Sequence, residues 1–144
     1  MTTVTFHCYT ADPLTYACRL LRKAVATGAK VIVTGAEQTL LQLDKALWTF
    51  SATDFVPHCD LSAPPGLQDR SPVVFASSLA SVPHHAVLLN LCEQVPPEAV
   101  QFDRVIEIVS LADPEQQKAR LRWKQYKVIG CDRTRHDIAP RAAE

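Results

Sequence analysis

The chain predicts an α/β fold: a single domain over residues 1–144, built on an open, mostly parallel sheet with helices on both faces. Three observations predict it. Short β-branched runs alternate with amphipathic stretches that open on capping residues and close on glycine, the pattern of βαβ units. The run "KVIVTG" (30–35) shows no polar alternation, as in a strand buried on both faces of a parallel sheet. With 144 residues, 47% of them hydrophobic, the chain is large enough to bury most of its apolar surface as one domain.

Each element has its own signal. "VTFHCY" (4–9) has the composition of a strand, and the helix after it starts with Asp12 as N-cap and Pro13 at its first position, then stops at Gly28. A right-handed crossover from this helix places "VTFHCY" and "KVIVTG" in one sheet. Helical periodicity resumes in "AEQTLLQLDKALW" (36–48). From Ser51 to Pro72 the chain is rich in turn residues, so residues 61–71 are expected to be a surface loop, with the neighbouring "PHCD" (57–60) a loop cluster. Strand-like runs return at "VVFAS" (73–77), "HAVLLNL" (85–91) and "DRVIEIV" (103–109). The last helix spans 113–128, signalled by Asp113 and Pro114 at its start and Gly130 beyond its end, and residues 132–144 are expected to be a C-terminal tail.

Composition narrows the function. No run of about 18 uncharged apolar residues occurs, and "MTTVTFHCYTADP" lacks the basic flank and apolar stretch of a signal peptide, so a cytoplasmic protein with no membrane partner is expected. The five cysteines include no C-x-x-C pair, which suggests neither a disulfide framework nor a zinc site. The turn after the first strand, "CYTADPL", has none of the glycines that bring a backbone close to phosphates, and G-x-x-x-x-G-K-[ST] is absent. No G-x-S-x-G or H-E-x-x-H occurs either. No cofactor, metal or catalytic residue is therefore expected.

The formal net charge of zero conceals an asymmetry. Residues 1–115 carry 7 basic and 12 acidic side chains, whereas Lys118, Arg120, Arg122, Lys124, Lys127, Arg133, Arg135 and Arg141 stand against only Asp132 and Asp137 between 116 and 141, a net +6. Such a segment favours an acidic partner. On a helical wheel Ala119, Trp123 and Tyr126 share one strip, bordered by Arg120, Lys124 and Lys127. A core-facing strip with a solvated basic edge accounts for this pattern; so does an anchor for an acidic peptide with apolar residues, or a stacking surface for single-stranded nucleic acid.

The opening "TFHCYT", the segment "LDKALWTFSATDFVPH", the strand "FDRVIEIV" and the C-terminal "ARLRWKQYKVIG" together resemble the chi subunit family of the bacterial DNA polymerase III holoenzyme, over about residues 3 to 131. The resemblance implies a Rossmann-like fold without a nucleotide site and a non-catalytic clamp-loader accessory role. Its implied partners are the acidic C-terminal tail of single-stranded DNA-binding protein and, on a separate surface, the psi subunit or clamp loader, or a repair helicase of the XPD-like type, with DNA contacted indirectly. The family's tail-binding residues fall on Val109, Arg120, Trp123 and Lys124, and its psi-facing or helicase-facing residues on Trp48, Phe55, Pro57 and His58. The family more often has tyrosine where this chain has Trp123, and a basic residue where it has Gln116. A direct single-stranded nucleic-acid-binding module using the basic C-terminal helix is the alternative reading.

Overall fold

The computed structural model describes residues 2–49 and 56–138. Along β1 (Thr3–Thr10), Val4, Phe6 and Cys8 alternate with less buried residues and turn toward one layer of the core. Helix α1 (Pro13–Ala26) starts where expected: the Asp12 carboxylate accepts from the Thr15 backbone N–H at 3.2 Å and from its hydroxyl at 2.7 Å. Gly28 takes the left-handed conformation (φ 82°) that ends it. Then follow β2 (Val31–Thr34), α2 (Glu37–Thr49), β3 (His58–Asp60), α3 (Pro65–Arg70), β4 (Val73–Phe75), β5 (Val87–Asn90), a 3₁₀ turn (Pro97–Gln101), β6 (Arg104–Ser110), α4 (Asp113–Val128) and β7 (Asp132–Asp137).

The seven strands of the described residues are all parallel and form one sheet in the order β3-β4-β2-β5-β6-β1-β7. The two βαβ strands of the opening do share that sheet, with β5 and β6 lying between them. On one face Ala17, Cys18 and Leu21 of α1 and Leu40, Leu43 and Leu47 of α2 cover Val31, Val33, Leu89 and Ile106. On the other, Ala119 and Tyr126 of α4 join Val95, Ala99 and Phe102 over Ile32, Leu88 and Val105. Consecutive residues of β2, β5 and β6 thus feed opposite layers, which is why these strands read as apolar runs without polar alternation, interrupted in β6 by Glu107 alone between Val105 and Val109. Among the described residues no helix is long and apolar enough to cross a membrane.

Three segments depart from the sequence reading. The expected loop at 61–71 contains α3, because proline is tolerated in a helix's first turn and Gln68 Nε2 donates to the carbonyls of Leu61 (3.0 Å) and Ala63 (2.8 Å). Just before it, part of the "PHCD" segment pairs with β4 as a short edge strand. The expected tail at 132–144 begins as β7, which runs beside β1 from Thr3↔Asp132 to Cys8↔Asp137. Its sequence, DRTRHD, shows no apolar alternation because its side chains are mostly exposed, and charge on an edge strand discourages pairing with other chains.

A buried polar cluster joins α4 to the sheet. Glu107, inside the apolar run of β6, is fully buried and accepts from Arg122 Nε at 2.9 Å, from the Tyr126 hydroxyl at 2.6 Å and from Asn90 Nδ2 at 2.7 Å. Arg122 Nη1 also donates to the Glu93 carbonyl at 3.2 Å. Burial pushes the Glu107 carboxyl up, opposed by the Arg122 guanidinium and the other donors, and burial pushes the Tyr126 phenol up as well. Removing one partner of such a pair leaves a buried charge uncompensated. Arg122→Ala should therefore lower unfolding stability by about 3–5 kcal/mol in urea titrations, whereas replacing exposed Leu121 beside it with alanine should change little.

His7 gives the fold a pH dependence. Its Nδ1 shares a hydrogen bond of 2.5 Å with the Tyr16 hydroxyl, and burial, with smaller contributions from His136 and Arg104, pushes its pKa down from 6.5 to about 4. The unfolded chain then takes up the proton first as pH falls, so this contribution to stability is complete above about 6.5 and is lost toward 4. The urea midpoint should fall between pH 7 and pH 4.5, and fall less for His7→Gln.

Candidate functional site

Where β1, β6 and α4 meet at the carboxyl ends of the strands, Phe6, Cys8, Tyr9, Val109, Gln116, Ala119, Arg120, Trp123 and Arg135 line an open cleft of about 230 Å³. A β-bulge shapes it. The β1–β6 register slips between His7 and Thr10, and Tyr9 has φ 66°. A regular strand would send Tyr9 and Cys8 to opposite faces, whereas here both reach the cleft. A left-handed tyrosine costs roughly 1–3 kcal/mol, so neighbouring contacts must hold it. Arg135 supplies them: its guanidinium lies 5.0 Å from the Tyr9 ring centroid and Nη2 donates to the Tyr9 hydroxyl.

The opposite wall is Trp123. Its ring meets Phe6 edge-on at 5.1 Å, with the Arg133 guanidinium 4.5 Å over it and Arg133 Nη1 donating to its carbonyl at 3.1 Å. Burial pushes the Cys8 thiol up, which keeps the floor neutral. Arg120 rises at the rim and makes no ion pair or hydrogen bond with any described residue. An apolar floor beside a guanidinium with unused donors can receive a group that joins a carboxylate to an apolar side chain.

The structure brings Val109, Arg120 and Trp123 together here, while Lys124 lies exposed on the adjoining edge of α4, outside the lining. Sequence reasoning missed Phe6, Cys8, Tyr9 and Arg135. Phe6 and Cys8 could have been found by period-2 reading of "TFHCY", whereas Arg135 needed the tail to be recognised as a strand beside β1.

The second set of expected residues lies elsewhere. Trp48, 61% exposed at the end of α2, and His58 of β3 share a cleft with Leu41, Asp44, Leu61 and Phe75. The His58 side chain is only 4% exposed: Nε2 bonds Asp44 Oδ1 at 2.7 Å, Nδ1 donates to the Val56 carbonyl at 2.7 Å, and the ring stacks on Phe75 at 5.3 Å while meeting Trp48 at 5.6 Å. It braces Trp48 from beneath. Pro57 is exposed between Val56 and β3, and Phe55 lies outside the described residues.

The place where a Rossmann-like sheet usually receives phosphates is filled by the protein's own groups. Asp12 caps the N-terminus of α1, and its Thr15 hydrogen bonds hold its carboxyl below the usual range, so a phosphate approaching that helix meets a carboxylate. Among the described residues no cluster of three or more His, Cys, Asp or Glu could hold a metal ion, and all five cysteines are free thiols. Fold and clefts together define an α/β domain with two separate apolar surfaces, one rimmed by arginine.

The family model described as "DNA polymerase III chi subunit, HolC" matches residues 1–134, and the chain belongs to that family. It is similar to DNA polymerase III subunit chi of Pseudomonas aeruginosa, 33% identical over 135 residues, covering 90% of this chain and 92% of that one. It is 28% identical over 116 residues to the Haemophilus influenzae subunit, covering 79% of each chain, and 30% identical over 115 residues to that of Escherichia coli, covering 78% and 77%. Among solved structures it resembles the C-terminal domain of S. cerevisiae Dbp5 bound to Gle1 and IP6, with TM-score 0.52, 12% identity and coverage of 94% and 90%, a likeness of fold alone.

Burial separates the two residues of the Trp48 surface experimentally. His58→Ala should cost about 1–3 kcal/mol because it strips partners from a buried polar group. Trp48→Ala should cost about 1 kcal/mol or less. Parallel urea denaturation of both variants checks the order.

Proposed function

We propose that the chain is a non-catalytic replication adaptor that links the DNA polymerase III clamp-loader assembly to single-stranded DNA-binding protein by holding that protein's acidic C-terminal tail in the Arg120 cleft. The observation that carries this reading is the Arg120 guanidinium, without a hydrogen-bond or ion-pair partner among the described residues, at the rim of an apolar cleft walled by Val109, Ala119 and Trp123. An apolar cavity of about 150 Å³ accommodates a benzene ring, so this cleft of about 230 Å³ suits one terminal aromatic side chain. Arginine then takes the terminal carboxylate through two parallel hydrogen bonds, which lysine cannot offer. Lys124 and its neighbours on α4 add screened attraction for the acidic residues upstream. The Trp48 surface, with His58 beneath the indole, receives the psi subunit or clamp loader, or an XPD-like repair helicase; Phe55 and Pro57 are assigned to the same partners, and DNA is reached through them.

Truncating one partner of a desolvated charge pair costs about 2–5 kcal/mol, so Arg120→Ala should weaken binding of a labelled acidic peptide ending in a free aromatic residue at least about 30-fold. Arg120→Lys should restore only part of it, added salt should weaken binding, and an amidated terminus should lose most of the affinity. Equal affinity of Arg120→Ala and the unaltered protein refutes the assignment. Binding of a single-stranded oligonucleotide in preference to the peptide favours the nucleic-acid module instead.

A further inference from the structure

We infer that Arg135 is a second carboxylate anchor of the cleft, offset by Asp137 until an acidic peptide arrives, and that it takes an acidic side chain upstream of the peptide's terminus. This rests on reading the cleft as a peptide site. Arg120 and Arg135 line the same cleft from different elements, one from α4 and one from β7, together with the apolar residues of its floor. A peptide end whose last side chain occupies that floor therefore meets two guanidiniums from different elements. If Arg120 holds the terminal carboxylate, the anion within reach of Arg135 belongs to an earlier residue.

The position of Arg135 is fixed by the sheet. The parallel register sets it beside Phe6 and sets Asp137 beside Cys8, on the same face of β7 two residues apart. Tyr9, turned inward by the bulge, supports the guanidinium with its ring and accepts from Nη2 with its hydroxyl. Arg135 Nε donates to Asp137 Oδ1 at 2.6 Å, and Nη1 makes no hydrogen bond to a described residue. Arginine is thus both preorganised and incompletely used, which lowers the ordering cost of binding an anion. Its pair with Asp137 is weak in the sense that matters, because the two side chains are 48% and 44% exposed and exposed pairs contribute little. An incoming carboxylate can displace Asp137, and until it does the Asp137 charge opposes the approach of any acidic peptide.

The test titrates one labelled acidic peptide with a free terminus against the full chain and its Arg135→Gln, Asp137→Asn, doubly substituted and Arg120→Ala variants, with circular dichroism confirming that each is folded. Arg135→Gln should weaken binding about 5-fold and Asp137→Asn should tighten it about 2-fold at low salt, as expected for rim charges. The gain from Asp137→Asn should vanish when Arg135 is also replaced, and a peptide whose upstream acids are amides should bind the unaltered protein and Arg135→Gln equally. Unchanged affinity for Arg135→Gln alongside a loss for Arg120→Ala overturns the second anchor and leaves the cleft reading intact. A gain from Asp137→Asn that persists without Arg135 overturns the offsetting role. Unaltered protein that does not bind the peptide at all removes the cleft reading and this inference together.

Discussion

Everything about the arginine cleft depends on a carboxylate that no solvent reaches. Glu107 sits in a strand buried on both faces, and burying it alone would be costly. Arg122, Tyr126 and Asn90 give it its hydrogen bonds. Because two of those donors come from α4, the helix has one rotational setting over the sheet. With Arg122 and Tyr126 turned inward, Arg120 comes to the rim and Trp123 to the wall. An apolar pair in place of Glu107 and Arg122 would satisfy burial as well, but without the directional hydrogen bonds that tie the helix to the sheet. The polar cluster exchanges some desolvation cost for orientation.

The second determinant is local. A Rossmann-like sheet normally presents glycines and a helix N-terminus to a phosphate at the carboxyl ends of its strands. Here that end holds a bulge with Tyr9 in a left-handed conformation, a carboxylate cap at Asp12 and an added parallel strand bearing arginines. The result is an apolar cleft lined by cations from two elements. This member of a family of polymerase accessory subunits thus has an α/β scaffold whose first helix N-terminus is occupied by its own carboxylate.

Much of this was readable from residue order. The buried strands, the caps of α1 and the glycines that end α1 and α4 follow from short-range chemistry, and so does the strip of Ala119, Trp123 and Tyr126. The resemblance to a family supplied Arg120 and Val109, which lie eleven residues apart in sequence and meet only in the fold. What stayed hidden needed tertiary partners. Arg122 looked like one more surface cation, although a lone glutamate within "VIEIV" asks for a buried donor and Arg122 shares a helical face with Ala119 and Tyr126. β7 was hidden because an exposed edge strand needs no apolar pattern, and Arg135 with it. α3 was hidden because two prolines and a glycine read as a turn.

The two tryptophans offer a direct test of the central claim, since Trp123 walls the arginine cleft and Trp48 caps the other surface. Each contributes one indole N–H resonance. Titration of ¹⁵N-labelled protein with an acidic peptide ending in a free aromatic residue should shift the Trp123 resonance, with the backbone amides of Val109, Ala119 and Arg120, and leave Trp48 in place. Movement of Trp48 with Trp123 unaffected, or movement of neither, would contradict the account.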